Sequence, residues 1–347
     1  MGGLLIEDIV VVEDLRKTYG KDILAVDGIS FRVHKGEIFG FLGPNGAGKS
    51  TTIKILTTLL EKSSGKATID GLDIDADQGL VRRIIGYSSQ EVGVDDDLTA
   101  RENLMLQCRF HHIPKDKAKS KTEELLHKVR LTEAADRRLK TFSGGMRKRL
   151  DLASSLVSDP KILFLDEPTT GLDPQSRQDV WDYVKQLNKD GMTIFLTTQY
   201  MEEADRLADR LCIVDQGKIV AEGTPDELKT KVGADKITLW FKADDPTACE
   251  KAEKALSNLQ GAEEVGKCIV GLTTEEGLTI MAKNGSAVVT QVVRALDSVG
   301  IDIEQLRLTV PTLDEVFLKL TGKTLNVIER KEAVRTASSF GRRRERS

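Results

Sequence analysis

The chain has 347 residues, enough for a sizeable core and for two domains. Hydrophobic residues make up 39% and charged residues 31%, the balance of a soluble globular protein rather than of a fibrous or disordered chain. Lys and Arg total 51 against 55 Asp and Glu, and the net charge of −4 gives no reason to expect a nucleic-acid partner.

Glu7 and Asp8 stand where a secretion signal would need a basic start and a longer apolar core. No apolar run approaches the roughly 18–20 residues that span a bilayer, so any membrane crossing is expected from another chain. Cys108, Cys212, Cys249 and Cys268 are scattered without a CxxC pair, which fits a reduced, cytosolic compartment.

In chain order, strand-like runs occupy residues 9–12, 28–33 and 37–42, and the last runs into Gly43-Pro44-Asn45-Gly46-Ala47-Gly48-Lys49-Ser50. Residues 50–60 then carry Ile53, Leu56, Leu59 and Leu60 at helical spacing. Residues 66–90 read as short strands and turns, with Asp70-Gly71 as a turn signal. Residues 97–142 read as mostly helical. Thr99 and Glu102 form a capping-box pattern, and Leu125, Leu126 and Val129 share one face. From Ser143 the order is helix, strand 162–165, helix 175–188, strand 193–197, helix 201–208 and strand 211–215, with Gln216-Gly217 as a hairpin turn. Strands alternating with helices predict a mostly parallel sheet covered on both faces.

A second pattern starts after residue 231: strand 236–242, helix 246–259, strands 267–272 and 278–282, helix 286–299 and strand 303–309. That order, βαββαβ, is ferredoxin-like. A short helix, 313–320, opens after Pro311-Thr312 and stops at Gly322. The expected division is an α/β domain over 7–231 with a helical insertion at about 91–142, an α+β domain over 235–322, and a basic, disordered tail over 323–347. The tail's excess of arginine reads as a solvated end or as a contact for anionic lipid headgroups.

Three motifs carry the chemistry. The 43–50 loop sits between a strand and a helix. Its glycines let backbone N–H groups close on phosphates, Lys49 reaches the β- and γ-phosphates, and the Ser50 hydroxyl suits Mg²⁺. Asp166 and Glu167 end an apolar strand, where one carboxylate can position a metal and the next can take a proton from water. Solvated acids also end many strands, and the pairing with the loop decides for the functional reading. Ser143-Gly144-Gly145 opens a helix; alone it reads as an ordinary N-cap, and with its free N–H groups it also suits an anion. Asp95-Asp96-Asp97 reads as a solvated loop and helix start rather than a calcium site. The adjacent His111 and His112 point about 100° apart on a helix and make a poor metal site.

The 43–51 loop (through Thr51), Ser143-Gly144-Gly145-Met146, residues 162–167 and Gly171-Leu172-Asp173 together resemble the ATP-binding cassette ATPases over roughly residues 7–230. The wording of RLDLASSLVSDP and LDEPTTGLDPQSR, and the stretch from Arg307 to Phe317, is similar to the daunorubicin-resistance type of drug exporter ATPase. The resemblance implies a P-loop NTPase fold, with a RecA-like core, an antiparallel β subdomain and a helical insertion, beside the small ferredoxin-like domain. It implies ATP and Mg²⁺ as cofactors. It assigns Tyr19 to adenine stacking (core filler being the bland alternative), Gln90 to Mg²⁺ and the attacking water, and Asp173 to the loop crossing to a second protomer. Where most members place a histidine after the 193–197 strand, this chain has Gln199, whose amide donates a hydrogen bond but cannot take a proton as imidazole does. That leaves Glu167 as the base. Met146 replaces a commoner glutamine. Family members sandwich two ATPs between two cassettes, so a homodimer or a heterodimer with a related cassette is implied. So are an integral membrane permease as partner and a place on the inner face of the cell membrane. The function implied is that of the ATP-hydrolysing subunit of an exporter. A soluble regulatory cassette or an importer subunit is the alternative, and the C-terminal domain could brace the dimer or bind a regulator.

Overall fold

The computed structural model describes residues 7–20, 22–241, 248–256, 262–269 and 276–322. They form two compact units, one holding the described residues up to Pro225 together with Leu320–Gly322, and the other Asp226–Lys319.

The first unit opens with β1 (Asp8–Tyr19) and β2 (Ile23–His34), then β3 (Ile38–Leu42), α1 (Lys49–Leu56), β4 (Ser64–Ile69), β5 (Leu72–Asp73), α2 (Gln78–Ile84) and β6 (Ile85–Ser88). Next come α3 (Ala100–Phe110), α4 (Lys115–Lys128), two single 3-10 turns, α5 (Gly144–Ser155), β7 (Ile162–Asp166), α6 (Pro174–Lys189), β8 (Thr193–Thr198), α7 (Met201–Leu207), β9 (Arg210–Asp215) and β10 (Lys218–Gly223), while α8 (Pro225–Thr230) starts at the boundary and runs into the second unit. An antiparallel sheet runs β2-β1-β4-β5. A six-stranded sheet runs β10-β9-β3-β8-β7-β6, parallel except for β10 at its edge.

The parallel strands are apolar on both faces because both are covered. Leu163, Leu165, Ile194 and Leu196 face α3–α6, while Phe39, Phe41, Phe164 and Phe195 face α1 and the antiparallel sheet. Phe31 of β2 closes on Phe39, Phe41 and Phe195 with ring centroids 5.3–5.9 Å apart, so the two sheets meet through an aromatic cluster.

Four sequence expectations are corrected. β1 runs on to Tyr19 instead of stopping at 12, because bulges around Asp14 (φ 46°) break the alternation that marks a strand. The helix after the nucleotide loop stops at Leu56 rather than 60: Thr57 Oγ1 bonds back to the Ile53 carbonyl at 2.8 Å, and Thr58 is left-handed at φ 59°. Leu59 is accordingly exposed. Between 66 and 90 there is a helix, α2, which a seven-residue span with one buried side chain, Val81, could not announce by periodicity. The strand expected at 267–272 begins at Ala262, with residues 270–272 outside the described residues.

The second unit contains β11 (Asp235–Phe241), α9 (Ala248–Leu256), β12 (Ala262–Ile269), β13 (Glu276–Ala282), α10 (Gly285–Ser298), β14 (Ile303–Thr309) and α11 (Leu313–Thr321). Its sheet order, β12-β13-β11-β14, is antiparallel at every pairing, the ferredoxin-like arrangement. Ile237, Leu239, Leu278 and Ile280 pack with Ala252, Leu256, Val288 and Val292 of α9 and α10. The flanks of the helix expected at 246–259 and the 323–347 tail lie outside the described residues.

Candidate functional site

In a parallel sheet the loops that bind ligand leave the carboxyl ends of the strands. Here β3, β8, β7 and β6 stand in that spatial order. The residues following them are Gly43, Gln199, Glu167 and the loop with Gln90. Topology alone therefore gathers four stretches scattered over more than half of the first unit.

The loop after β3 is pinned at both ends. Gly43 N–H donates to the Thr198 carbonyl at 3.2 Å, and Gly217 N–H donates to the Ala47 carbonyl at 3.0 Å. Gly48 caps α1 at φ 101°, and a Cβ there would lie 2.4 Å from the Ala25 carbonyl oxygen. Asn45 and Gly46 are exposed, and Thr51 is half-buried in the first turn of α1. Tyr19, at the end of β1, is exposed, with its hydroxyl 3.5 Å from Thr51 Oγ1.

Lys49 is buried at 3% exposure, its ammonium 3.1 Å from the Pro44 carbonyl and 3.1 Å from Glu167 Oε1. An ammonium has three donors, so one remains after these two contacts. Ser50 Oγ donates to Asp166 Oδ1 at 3.0 Å. Cis ligands of an octahedral cation with oxygens at 2.0–2.1 Å stand about 3 Å apart, so this pair matches the spacing a small hard cation needs.

Thr197 at the end of β8 organises both acids. Its hydroxyl donates to Asp166 Oδ1 at 2.6 Å and accepts from Glu167 N–H at 3.1 Å. Glu167 adopts φ 47°, a left-handed conformation rare outside glycine, and its Oε2 accepts from Thr170 Oγ1 at 3.1 Å. The strained backbone at Glu167 is thus held by its contacts with Thr197, Thr170 and Lys49. Tyr87 on β6 feels the acids: burial first, then the charges of Asp166 and Asp151, push its hydroxyl up to about 12. Gln199 has a buried Oε1 without a hydrogen-bond partner among the described residues. Gln90 is exposed.

A second cluster forms at the start of α5 and α6. Ser143 caps α5, accepting from Met146 N–H at 3.3 Å, and it and Gly144 are exposed. Gly145 is there because a Cβ would meet Ser176 Oγ at 2.4 Å. Ser176 in turn donates its Oγ to Asp173 Oδ2 at 2.6 Å and its N–H to Oδ1 at 2.9 Å, and these bonds lower the Asp173 pKa. The N-termini of α5 and α6 meet there, Gly145 of one against Ser176 of the other.

Sequence reasoning missed Thr197, Thr170, Glu203, Lys148 and Asp151. Thr197 and Thr170 each adjoin a recognised motif. The other three lie on helices where spacing gives no sign of their partners. His111 and His112 are exposed, and Asp95 accepts from Asp97 N–H at 2.9 Å within a turn.

A glycine-lined loop, a lysine, and a hydroxyl beside a strand-end aspartate define a P-loop nucleoside triphosphatase. The chain matches the ABC transporter family over residues 26–170 and the C-terminal domain of ATP-binding proteins like DrrA1-3 over 223–321. It is 42% identical over 323 residues to the daunorubicin resistance ATP-binding protein DrrA3 of Streptomyces coeruleorubidus, covering 92% of this chain and 98% of that one. It is 42% identical over 320 residues to the doxorubicin resistance ATP-binding protein DrrA of Mycobacterium tuberculosis, covering 90% and 93%. The structure of CbiO1 from Clostridium perfringens, part of the CbiONQ ABC transporter complex, superposes with a TM-score of 0.61 at 28% identity, covering 65% of this chain and 92% of that one. The chain belongs to the ABC transporter ATPases, in the group of drug-resistance ATP-binding proteins. It hydrolyses ATP.

Proposed function

We propose that the chain drives efflux of an antibiotic-like compound through a separate membrane permease, as the resistance functions named for its relatives suggest. The observation that carries the catalytic reading is the convergence of Lys49, Ser50, Asp166 and Glu167 through contacts of 3.0–3.1 Å at the carboxyl ends of β3 and β7. Ser50 and Asp166, with Gln90, would hold Mg²⁺, which would supply Lewis-acid polarisation of the phosphoryl oxygens. Lys49 and the N–H groups of the 43–51 loop bind the phosphates. Tyr19 stacks on adenine. Glu167 accepts the proton of the attacking water, and the unpaired Gln199 Oε1 orients that water by accepting its second hydrogen.

The cluster of exposed Ser143, Gly144 and Asp173, with Gly145 buried behind them, serves the ATP of a second cassette, so two copies, or this chain and a relative, close two sites together. A groove of about 300 Å³ lined by Thr57, Leu59, Tyr87, Gln107 and His111 lies between the sheet core and the helical insertion and offers a seat for the permease. No described helix is long and apolar enough to cross a membrane, and the chain is placed on the inner face by that partner.

The catalytic reading is tested with Lys49→Ala, which removes the phosphate counter-charge and is expected to cut ATPase activity by at least about 100-fold; retained activity overturns the site. The transport reading is tested by capturing the tagged full chain from detergent-solubilised membranes. A co-purifying integral membrane protein is expected, and recovery of the chain without one overturns it.

A further inference from the structure

The loop that carries Gln90 is gripped by the helix that carries Ser143. Lys148 and Asp151 are one helical turn apart on α5, on one face, and are 4% and 7% exposed. The Lys148 ammonium donates to Ser88 Oγ at 2.9 Å and the Ser89 carbonyl at 2.9 Å, and pairs with Asp151 Oδ2 at 3.2 Å. Asp151 Oδ2 also accepts from Ser88 Oγ at 2.6 Å, while its Oδ1 accepts from Gly93 N–H at 3.1 Å. The segment is held again further on, where Arg147 pairs with Asp96 at 2.9 Å. Gln90 thus lies in a short exposed arch whose two feet, Ser88–Ser89 and Gly93, both stand on α5.

A buried ion pair is poor evidence of a stabilising role, because two well-packed apolar side chains serve stability as well or better. These two use their bonding capacity on the Ser88 hydroxyl at the end of β6 and on the Ser89 carbonyl and Gly93 N–H just beyond it, where the loop has left the sheet and its backbone groups have no ladder to join. We propose that Lys148 and Asp151 are positioning residues that clamp the Gln90 loop to α5, so that Ser143, which serves one ATP, and Gln90, which serves the other, move as one piece. The inference rests on the roles given above to Gln90 and Ser143. Displacement of α5 when a partner's nucleotide engages its N-terminus is transmitted to Gln90 through the clamp, and each chain couples the two sites it contributes to.

Hydrogen exchange on the unsubstituted full chain is the first test. The Gly93 amide should be protected to the same degree as α5, and MgATP should change both together; free exchange at 88–93 beside a protected α5 overturns the clamp. The second test compares variants with MgATP. Asp151→Ala should raise exchange across 88–93 and lower kcat by about 10- to 100-fold through misplacement of Gln90, with KM within about threefold because Lys49 and Tyr19 are untouched. Asp151→Asn, which still accepts from Gly93, should recover much of kcat. If Asp151→Ala folds poorly, Lys148→Gln, which drops the charge and keeps a donor, takes its place with the same expectation at smaller amplitude. Gln90→Ala is run alongside. Slow Gln90→Ala with normal kcat in both clamp variants overturns the clamp alone. Full activity of Gln90→Ala overturns the reading of Gln90 and the clamp with it.

Discussion

Thr197 shows how one hydroxyl decides a site. By donating to Asp166 and accepting from the Glu167 amide, it sets the acid that stands beside Ser50 and the acid that pairs with Lys49 in one register. Glu203 lies behind them, fully buried on α7, with Oε1 accepting from Thr169 Oγ1 at 2.7 Å and from Trp181 Nε1 at 2.8 Å. Burial pushes its pKa up from 4.5, while hydrogen bonds from Thr198, Thr169 and Trp181 and the Arg177 charge oppose the rise. The folded chain therefore keeps this proton to higher pH than the unfolded chain. Its contribution to stability is full below 4.5 and is lost as pH rises through the folded value. Glu203→Gln removes the titration. Its Tm relative to the unsubstituted chain should be higher at about pH 8 than at about pH 5 by scanning calorimetry; an unchanged difference contradicts the assignment.

At the scale of elements, the loop between β3 and α1 depends on a backbone shape as well as on its charges. Gly48 at φ 101° leaves no room for a Cβ against the Ala25 carbonyl of β2. Gly48→Ala should cost about 3 kcal/mol or more and abolish nucleotide binding. Thermal unfolding and binding of a fluorescent ATP analogue check the two effects separately, and a variant that binds normally shows the loop to be more adaptable than its geometry indicates. The signature helix α5 follows the same logic: Gly145 admits Ser176 of α6, so the N-termini of both helices come to the surface together. One side of α5 faces a partner cassette in the proposed dimer, while Lys148 and Asp151, buried on the same helix, hold the Gln90 loop.

At the scale of the molecule, each unit closes its own core, and one chain supplies both a nucleotide loop and an exposed signature. A dimer follows from the proposed division of labour, since the acids and the signature serve different ATPs. Glu167→Gln keeps the hydrogen bond to Thr170 and removes the base. With MgATP it should therefore hold nucleotide and elute at twice the monomer mass in size-exclusion chromatography. Elution as a monomer under saturating MgATP counts against the sandwich.

Much of this was legible in the amino-acid order because the relevant physics is local. The strand–loop–helix context of residues 43–50, the apolar run into Asp166, the capping box at Thr99 and Glu102, and the alternation of strands and helices are each written within a few adjacent residues. The ferredoxin-like order of the second unit was readable for the same reason. What tertiary structure decided is where long-range partners meet. That β8 lies between β3 and β7, placing Thr197 between the loop and the acids, is a matter of strand order, which chain order does not contain. The bulged extension of β1 to Tyr19, the turn that ends α1 at Leu56, and the Lys148–Asp151 grip on the Gln90 loop depend on contacts made across the fold. The chain by itself determined that it grips and cleaves a nucleotide, because the phosphate loop at 43–50 and the acidic pair at 166–167 are each complete within a few adjacent residues. Only packing decided how those motifs are brought together and how the groups around them are aimed, because strand order and side-chain contacts join residues far apart in the chain.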